Sequence, residues 1–287
     1  MTGLHVDHYE YAGTAGAGDR PSLLLIHGWG MHGGMWSKTA QRLAQHFRVM
    51  AVDLPGHGYS VNNNRDKRQE ARLKGQDPAF HLNLEPSTFA LDAIVDELSA
   101  QFDGPLDICG WSLGGQIALR WASLKPQQVS RLVMLASTPC FARQAGWKHA
   151  LSPEILEEFA ADLEHDYVQT LRRFLSLQIR GSDRERETLA ELREALFSRG
   201  EPDPDALHAG LGILRRSDQR STLPDVKQPV LVVAGERDTL IPLQASQYLA
   251  SNTPNGRLAV IGGAAHAPFL SHPEEFAGHL VDFLNGK

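Results

Sequence analysis

Apolar residues in this chain gather in short runs, separated by longer stretches with helical periodicity. Six runs of four or five mostly apolar residues have the length of a strand: 23–26, 49–52, 105–109, 132–135, 230–233 and 258–261. Consecutive apolar positions are typical of an interior parallel strand, because both faces of such a strand are covered. The pattern predicts an α/β protein whose mostly parallel central sheet carries helices on both faces. A further hairpin is predicted around His5 to Tyr11.

One long stretch, residues 140–223, has no strand pattern and is called the cap segment below. Its helical patterns cover 153–164, 167–179, 184–197 and 204–215. A helical block between two sheet strands is expected to lie over the carboxyl ends of the strands, where open α/β sheets bind ligands. The predicted domain organisation is therefore a core of residues 1–139 and 224–287 with an inserted helical cap. Residues 62–86, which are rich in polar side chains, are predicted to form a surface insertion within the core.

The overall charge excludes some classes of partner. The chain has 287 residues and a net charge of −6, which gives no reason to expect nucleic acid or a membrane as a partner. Two cysteines, Cys109 and Cys140, are too few for a disulfide framework, and no signal-like apolar run precedes the first strand. The expected location is therefore cytoplasmic. The histidines are scattered and no glycine-rich phosphate loop follows a strand, so neither a metal nor an organic cofactor is expected.

The chemistry is expected to centre on Ser112. Residues 110–115 read Gly-Trp-Ser-Leu-Gly-Gly and lie between a predicted strand and a predicted helix. A serine in Gly-x-Ser-x-Gly at such a turn projects its hydroxyl from the edge of the sheet, and the small flanking residues allow the turn to be tight. The backbone N–H of Leu113 then lies at the start of a helix, where unpaired amides favour negative charge. Ser112 is the predicted nucleophile and Leu113 the first oxyanion donor.

A serine nucleophile needs a base, and the base needs a group that fixes its tautomer. Asp238 and His266 follow the last two predicted strands, in the chain order that this type of turn uses. The backbone N–H of Trp29, after the first apolar run, is the predicted second oxyanion donor. Glu236 is a rival acid. Among the other histidines, His27 is expected to order its own loop, His57 to lie in a turn and His272 to cap the last helix.

These motifs resemble the α/β-hydrolase superfamily and, within it, the family of the pimeloyl-[acyl-carrier protein] methyl ester esterases of biotin synthesis. The segments that carry the resemblance are 27–30, 52–56, 110–115, 136–141, 173–178, 264–269 and 271–273. The resemblance implies a serine carboxylesterase that releases methanol from a carrier-linked methyl ester. It also implies a substrate site, made of Trp29, Ser112, Leu113, Phe174, Leu175, Ser176, Leu177, Gln178 and His266.

Arginines are concentrated in one part of the cap segment. Seven occur from Arg172 to Arg199 against five acidic residues, although the whole chain is acidic. Such segregation suits an acidic, phosphorylated partner, but a solvated helix with i,i+4 ion pairs explains it equally well. The resemblance implies that Arg173 and Arg186 dock an acyl carrier protein. Two other family docking positions hold Gln169 and Ala190, which weakens that inference.

Two alternatives stay open at the level of sequence. Another capped α/β-hydrolase, such as a general short-chain carboxylesterase or a C–C bond hydrolase, would use the same serine, acid and histidine. A ligand-binding protein could also retain the fold with slow turnover or none. The identity of the residue at position 112 disfavours hydrolases that use an aspartate nucleophile, because that residue is serine.

Overall fold

The computed structural model describes residues 3–11, 20–60 and 87–286, with side chains from position 91 onwards in the third range. The predicted surface insertion at 62–86 lies outside the described residues. Within these ranges the strands form one sheet in the order β1-β3-β2-β4-β5-β6-β7. The strands are β1 Val6–Tyr9, β2 Ser22–Ile26, β3 Arg48–Val52, β4 Leu106–Trp111, β5 Val129–Leu135, β6 Val230–Gly235 and β7 Gly256–Ile261.

All strand pairs except one are parallel, as the apolar runs predict. The exception is β1, which runs antiparallel to β3 with Val6 opposite Val52. The predicted hairpin around His5 to Tyr11 is therefore wrong, since the described residues there form a single strand. The physical reason is that β2 already has β3 and β4 as its two neighbours, so the edge of β3 is the one available to β1.

Helices cover the sheet and build the cap segment. Those of the core are α1 Ser37–Leu43, α2 Ser87–Gln101, α3 Leu113–Leu124, α8 Leu243–Asn252, α9 Pro268–Ser271 and α10 Pro273–Leu284. Those of the cap segment are α4 Pro153–His165, α5 Tyr167–Ile179, α6 Glu185–Leu196 and α7 Pro204–Arg216. Among the described residues, no helix is long and apolar enough to cross a membrane.

Local sequence signals set the ends of the cap helices. Asp166 ends α4 and also begins α5, where its carboxylate accepts a hydrogen bond from the Gln169 N–H at 3.0 Å. Asp203 caps α7 in the same way, and Pro204 occupies the first helical position, where a missing N–H has no consequence. These short polar side chains explain why the predicted helix boundaries agree with the structure to within about two residues.

The carboxyl end of β4 lies deep in the core. Every residue of β4 and β6 is buried, as expected for strands covered on both faces. An aromatic cluster of Trp36, Trp111, Phe269 and Phe276 packs α1, α9 and α10 against the end of β4. The turn that holds Ser112 therefore follows a buried strand end that is packed by aromatic side chains.

Candidate active site

Ser112 occupies a strained turn between β4 and α3. Its backbone has φ 56° and ψ −117°, in a region that residues other than glycine rarely adopt. A Cβ atom on Gly110 would collide with the Gly114 carbonyl, and one on Gly114 would collide with the carbonyl oxygens of Ile26 and His27. The Ser137 hydroxyl donates to the Ser112 carbonyl at 2.7 Å, which satisfies the polar group exposed by the sharp turn. The predicted reason for the flanking glycines is confirmed.

The structure brings Ser112, His266 and Asp238 into one hydrogen-bonded chain. The Ser112 Oγ lies 2.9 Å from His266 Nε2, and His266 Nδ1 lies 2.7 Å from Asp238 Oδ2. All three side chains are buried, so the bonds are shielded from competition by water. The other Asp238 oxygen accepts the N–H groups of Leu240 and Ile241, both at 2.9 Å. Asp238 is therefore held as an acceptor for an Nδ1–H, which leaves Nε2 to receive the serine proton.

The rival acid and three other histidines lie outside this chain of bonds. Glu236 accepts the N–H of Gly263 at 3.0 Å and so orders the turn before His266. His27 spans its own loop, since Nδ1 contacts the Gly28 carbonyl at 2.8 Å and Nε2 accepts the Leu54 N–H at 2.9 Å. Burial lowers the pKa of His27 well below its usual range, so this histidine is neutral.

The remaining two histidines, His57 and His272, lie where the sequence predicts. His57 lies in a turn, where its Nδ1 contacts the Pro55 carbonyl at 3.0 Å. His272 is the residue before α10, but its side chain makes no capping hydrogen bond. Its Nδ1 instead contacts the Ser271 hydroxyl at 2.8 Å. His272 therefore caps the last helix through its backbone position, as predicted.

The two predicted oxyanion donors lie on segments that meet at Ser112. A Cβ atom at Gly28 would lie 3.3 Å from the Ser112 Cβ, which places the loop after β2 directly beside the serine. Within the described part of the chain, no backbone or side-chain acceptor receives the N–H of Trp29 or of Leu113. Two amides without an acceptor next to a buried hydroxyl are what an oxyanion hole requires.

Cap helices α5 and α7 close over this loop. The Trp29 indole N–H donates to the Leu207 carbonyl in α7 at 2.8 Å, and the Trp29 ring meets Phe174 of α5 edge to face, with ring centres 5.0 Å apart. Beside them lies a nearly closed apolar cavity of about 10 Å³. Its walls are formed by Trp29, Phe141, Leu151, Leu156, Phe159, Phe174, Leu211, Leu214 and Leu240.

The residues of segment 174–178, near the end of α5, differ in whether they lie at the site. Phe174 lines the cavity and Leu175 is fully buried. The carbonyl of Gln178 accepts the His266 N–H at 2.9 Å. Ser176 and Leu177 are half-buried and do not line the cavity, and the Ser176 hydroxyl donates to the Arg172 carbonyl. Of the predicted acyl-site residues in this segment, the structure places Phe174 and Gln178 at the site.

Most of the cavity wall was not among the predicted site residues. Leu211 and Leu214 follow one another at helical spacing, which predicts a buried face of α7 but not what that face covers. Leu240 comes two residues after Asp238. Its position in that loop does not reveal from the sequence that its side chain lines the cavity. The sequence signal for these residues was hydrophobicity, which they share with the whole core.

The arginines of the cap segment differ in their surroundings. Arg173 pairs with Asp162 at 2.7 Å and lies over the Phe159 ring. Arg172 and Arg193 line a surface groove between α5 and α6, and neither has an ion-pair partner within the described ranges. Arg186 is exposed and likewise has no acidic partner among those residues. The i,i+4 ion pairs considered from the sequence do not occur among the described arginines of α6.

No group of three or more His, Cys, Asp or Glu side chains in the described residues is arranged to hold a metal ion. Burial raises the pKa of Cys140 to about 11 and raises the pKa of Cys109 further. Neither thiol is therefore a ready nucleophile, and the reactive side chain of this site is the serine.

Comparison with known proteins agrees with this geometry. The sequence profile of the α/β hydrolase fold matches residues 21–273, and the chain belongs to that family. An esterase from Exiguobacterium antarcticum has the same fold with a TM-score of 0.79 at 19% identity, covering 99% of this chain and 96% of its own. The enol-lactonase from Burkholderia xenovorans LB400 gives 0.77 at 20% identity, covering 98% and 96%.

Closer relatives define a narrower family. The pimeloyl-[acyl-carrier protein] methyl ester esterase of Nitrosomonas europaea is 38% identical over 96% of this chain and 97% of its own length. The protein of the same name from Xanthomonas axonopodis pv. citri is 39% identical over 93% and 96%. The chain is thus a member of the family of the pimeloyl-[acyl-carrier protein] methyl ester esterases, and its enzyme class is that of the carboxylic ester hydrolases.

Proposed function

We propose that this protein hydrolyses the methyl ester of pimeloyl-[acyl-carrier protein] to the free carboxylate and methanol, the reaction that the sequence resemblance connects with biotin synthesis. The observation that carries the proposal is the buried chain of bonds from Ser112 through His266 to Asp238 beside an apolar cavity. The names of relatives that match nearly the whole chain support the choice of substrate.

The first half of the reaction forms an acyl-enzyme. Ser112 Oγ attacks the ester carbonyl carbon while His266 Nε2 takes the hydroxyl proton, and the carbonyl oxygen becomes an oxyanion. The N–H groups of Trp29 and Leu113 are placed to stabilise that oxyanion, and one such donor is worth about 3 kcal/mol. The tetrahedral intermediate then breaks its bond to the methoxy oxygen. His266 donates its proton to that oxygen, and methanol leaves.

The second half releases the acyl group. Water loses a proton to His266 Nε2 and attacks the acyl carbon, which gives a second oxyanion in the same position. Collapse of this intermediate breaks the bond to Ser112 Oγ, which recovers the proton from His266. Asp238 stays ionised throughout and stabilises the imidazolium through the 2.7 Å bond to Nδ1.

The surroundings of the triad suit an acyl chain that carries its ester at one end. The cavity beside Trp29 and Phe174 is lined by apolar side chains only, so it favours methylene groups and disfavours charge. A methyl ester is neutral and enters such a site more easily than the carboxylate that the reaction produces. The change in charge therefore favours release of the product.

The carrier protein is proposed to dock on the arginine-bearing face of the cap segment. Arg173, one of the two docking residues implied by resemblance, is already paired with Asp162. We place the contact in the groove between α5 and α6 that Arg173 also lines, where Arg172 and Arg193 lie beside Gln169 and Ser176. Two guanidinium groups beside hydroxyl and amide donors suit a phosphate group and acidic side chains. Arg186 retains its proposed role at the exposed start of α6.

The proposed function is tested with two substrates in parallel, the carrier-linked methyl ester and a small p-nitrophenyl ester. Wild-type enzyme should hydrolyse both, and Ser112→Ala should hydrolyse neither. The double variant Arg172→Ala/Arg193→Ala should raise the KM for the carrier-linked ester only. Arg48→Ala is the matched control, because Arg48 is exposed at the amino end of β3, whereas Ser112 follows the carboxyl end of the parallel strand β4. Added salt should weaken carrier docking in the same selective way.

Other outcomes would identify the alternatives. Turnover of the small ester without turnover of the carrier-linked ester would indicate a general carboxylesterase or a C–C bond hydrolase. Covalent capture of the ester without release would indicate a ligand-binding protein. Rescue of a biotin-requiring bacterial strain that lacks its own esterase, with failure of Ser112→Ala, would support the proposed substrate in the cell. The cytoplasmic location expected from the sequence stays a prediction.

A further inference from the structure

The residue before the nucleophile makes a long-range bond that the serine turn itself does not require. Trp111 is fully buried at the end of β4, and its indole N–H donates to the backbone carbonyl of His266 at 2.8 Å. The turn at Ser112 depends on the glycines around it, since those are the positions where a Cβ would collide with backbone. A large aromatic residue with a hydrogen-bond donor at position 111 therefore needs an explanation of its own.

His266 is held through its backbone from two opposite sides. Trp111 binds its carbonyl from the core, and the carbonyl of Gln178 accepts its N–H from the cap helix α5 at 2.9 Å. These bonds fix both peptide groups that flank the histidine. The position of the imidazole between Ser112 and Asp238 is then set by the backbone as well as by the two side-chain bonds.

The indole itself has little freedom to move. Its ring packs against Phe269 at a centroid distance of 4.9 Å and against Trp36 at 6.5 Å. The Gly28 backbone also approaches the indole, since a Cβ atom added there would lie 3.2 Å from the ring. Because Phe269 follows His266 by three residues, the same ring also packs against the helix that continues from the histidine loop.

We propose that Trp111 is a positioning residue that holds His266 at reacting distance from Ser112, a role that rests on the proposed function of His266 as the base. Trp111 and Ser112 are adjacent in the chain, so one short strand end carries the nucleophile and, through the indole, fixes the backbone of its base. The 2.9 Å hydrogen bond between Ser112 Oγ and His266 Nε2 joins the same two segments at their side chains. Small displacements of a general base lower turnover steeply.

The donor, rather than the ring, is the feature that matters. The carbonyl of His266 is buried against Trp111, and without the indole N–H its peptide group must reorient to find another donor. Reorientation of that peptide moves the imidazole away from Ser112. Loss of the N–H therefore lowers the rate of proton transfer but leaves the acyl cavity unchanged, because Trp111 does not line it.

The test compares Trp111→Phe with Trp147→Phe. Trp147 is also buried and also donates its indole N–H to a backbone carbonyl at 2.8 Å, but that carbonyl belongs to Cys140 in the cap segment. Hydrolysis of p-nitrophenyl butyrate is measured per active site, with sites counted by a fluorophosphonate that labels the serine. In Trp111→Phe, kcat per site should fall about tenfold or more with KM within about twofold of wild type. In Trp147→Phe, kcat per site should be unchanged.

The dependence of kcat/KM on pH provides a second readout. The acidic limb, which reports the base, should shift in Trp111→Phe and stay in place in Trp147→Phe. If Trp111→Phe does not fold, β-(3-benzothienyl)alanine at position 111 retains the shape of the side chain and removes the donor. Wild-type kcat per site in either replacement overturns the proposal.

Measurement of a His266→Ala variant in the same assay separates this inference from the proposed function. An active His266→Ala variant would show that His266 is not the base, and the proposed function of the triad would fail. An inactive His266→Ala variant together with fully active Trp111 replacements would leave the triad intact and remove only the role of Trp111.

Discussion

Arg199 of the cap segment donates to both carboxylate oxygens of Asp53 in the core, at 3.1 and 3.2 Å. The Asp53 side chain is fully buried just after β3 and the Arg199 side chain is 12% exposed. Asp53 also accepts the N–H groups of Gly33 at 2.6 Å and Tyr59 at 2.8 Å. The charge of this buried carboxylate is thus balanced by a residue from the cap. The stability of the core therefore depends on the position of the cap.

Removal of Arg199 should be strongly destabilising. Arg199→Met leaves the Asp53 carboxylate buried without its cation, and loss of one partner of a buried pair lowers the free energy of unfolding by about 3 kcal/mol. Arg173→Met removes an arginine whose partner Asp162 is half-exposed, and should lower the free energy of unfolding by less than about 1 kcal/mol. Urea denaturation of both variants measures the difference. Equal losses would show that Asp53 does not depend on the cap.

Asp238→Asn should abolish most of the activity without loss of folding. The asparagine can present an N–H to His266 Nδ1 and so favour the wrong tautomer, which lowers kcat by roughly four orders of magnitude. Glu236→Gln is the matched control, because Glu236 accepts only the Gly263 N–H in the neighbouring turn. Steady-state hydrolysis of a p-nitrophenyl ester is the measurement. A larger effect at Glu236 would reassign the acid.

The strain at Ser112 predicts an order of stability between two inactive variants. Ser112→Gly should be more stable than Ser112→Ala by about 1 kcal/mol, since glycine adopts φ 56° without a Cβ clash and alanine does not. Thermal unfolding of the two proteins at one pH is sufficient to compare them. If the alanine variant is at least as stable, the turn is not strained in the folded protein.

Asp107 should make stability depend on pH. It is buried in β4, and its Oδ1 lies 3.6 Å from Arg131, too far for a hydrogen bond. Burial outweighs the attraction of Arg131 and raises the pKa of Asp107 to about 6. The folded protein therefore binds this proton more tightly than the unfolded chain does. The stability that the proton confers is fully present below pH 4 and is lost as the pH rises through about 6.

The variant Asp107→Asn removes this dependence. Relative to wild type, its free energy of unfolding should rise between pH 4 and pH 8 by about 3 kcal/mol, from a pKa difference of about two units. Asp103→Asn is the control, because Asp103 is exposed in the loop before β4. Urea denaturation at several pH values tests the prediction. A parallel pH profile for wild type and Asp107→Asn would contradict it.

The fold and the centre of the site were largely predictable from local pattern. Strand runs, the turn at Ser112 and the chain order of Asp238 and His266 each depend on residues close together in sequence, and periodicity reports on burial directly. The edge position of β1 was not predictable in this way. It depends on which neighbours β2 has already taken, and that information is spread over three strands.

Contacts between the cap and the core were also beyond the sequence. Seven arginines in one stretch predict a basic surface, yet Arg199 is buried against Asp53 and Arg173 is paired with Asp162. An arginine in a charge-rich segment has the same local pattern whether it faces solvent, an acid on the next helix or an acid in the core. The indole of Trp111 raises the same difficulty, since its acceptor at His266 lies 155 residues away.

The hydrogen bond from the His266 N–H to the Gln178 carbonyl sets a limit on redesign. To change the substrate range of a capped hydrolase, one can exchange the whole cap, provided that the sheet carries the catalytic residues and the cap only selects the substrate. In this protein the end of α5 contributes both to the position of the catalytic histidine and to the selection of the substrate. A transplanted cap would have to reproduce a backbone carbonyl at the place of Gln178 as well as a new acyl wall, and the usable crossover point lies within the helix rather than at its loops.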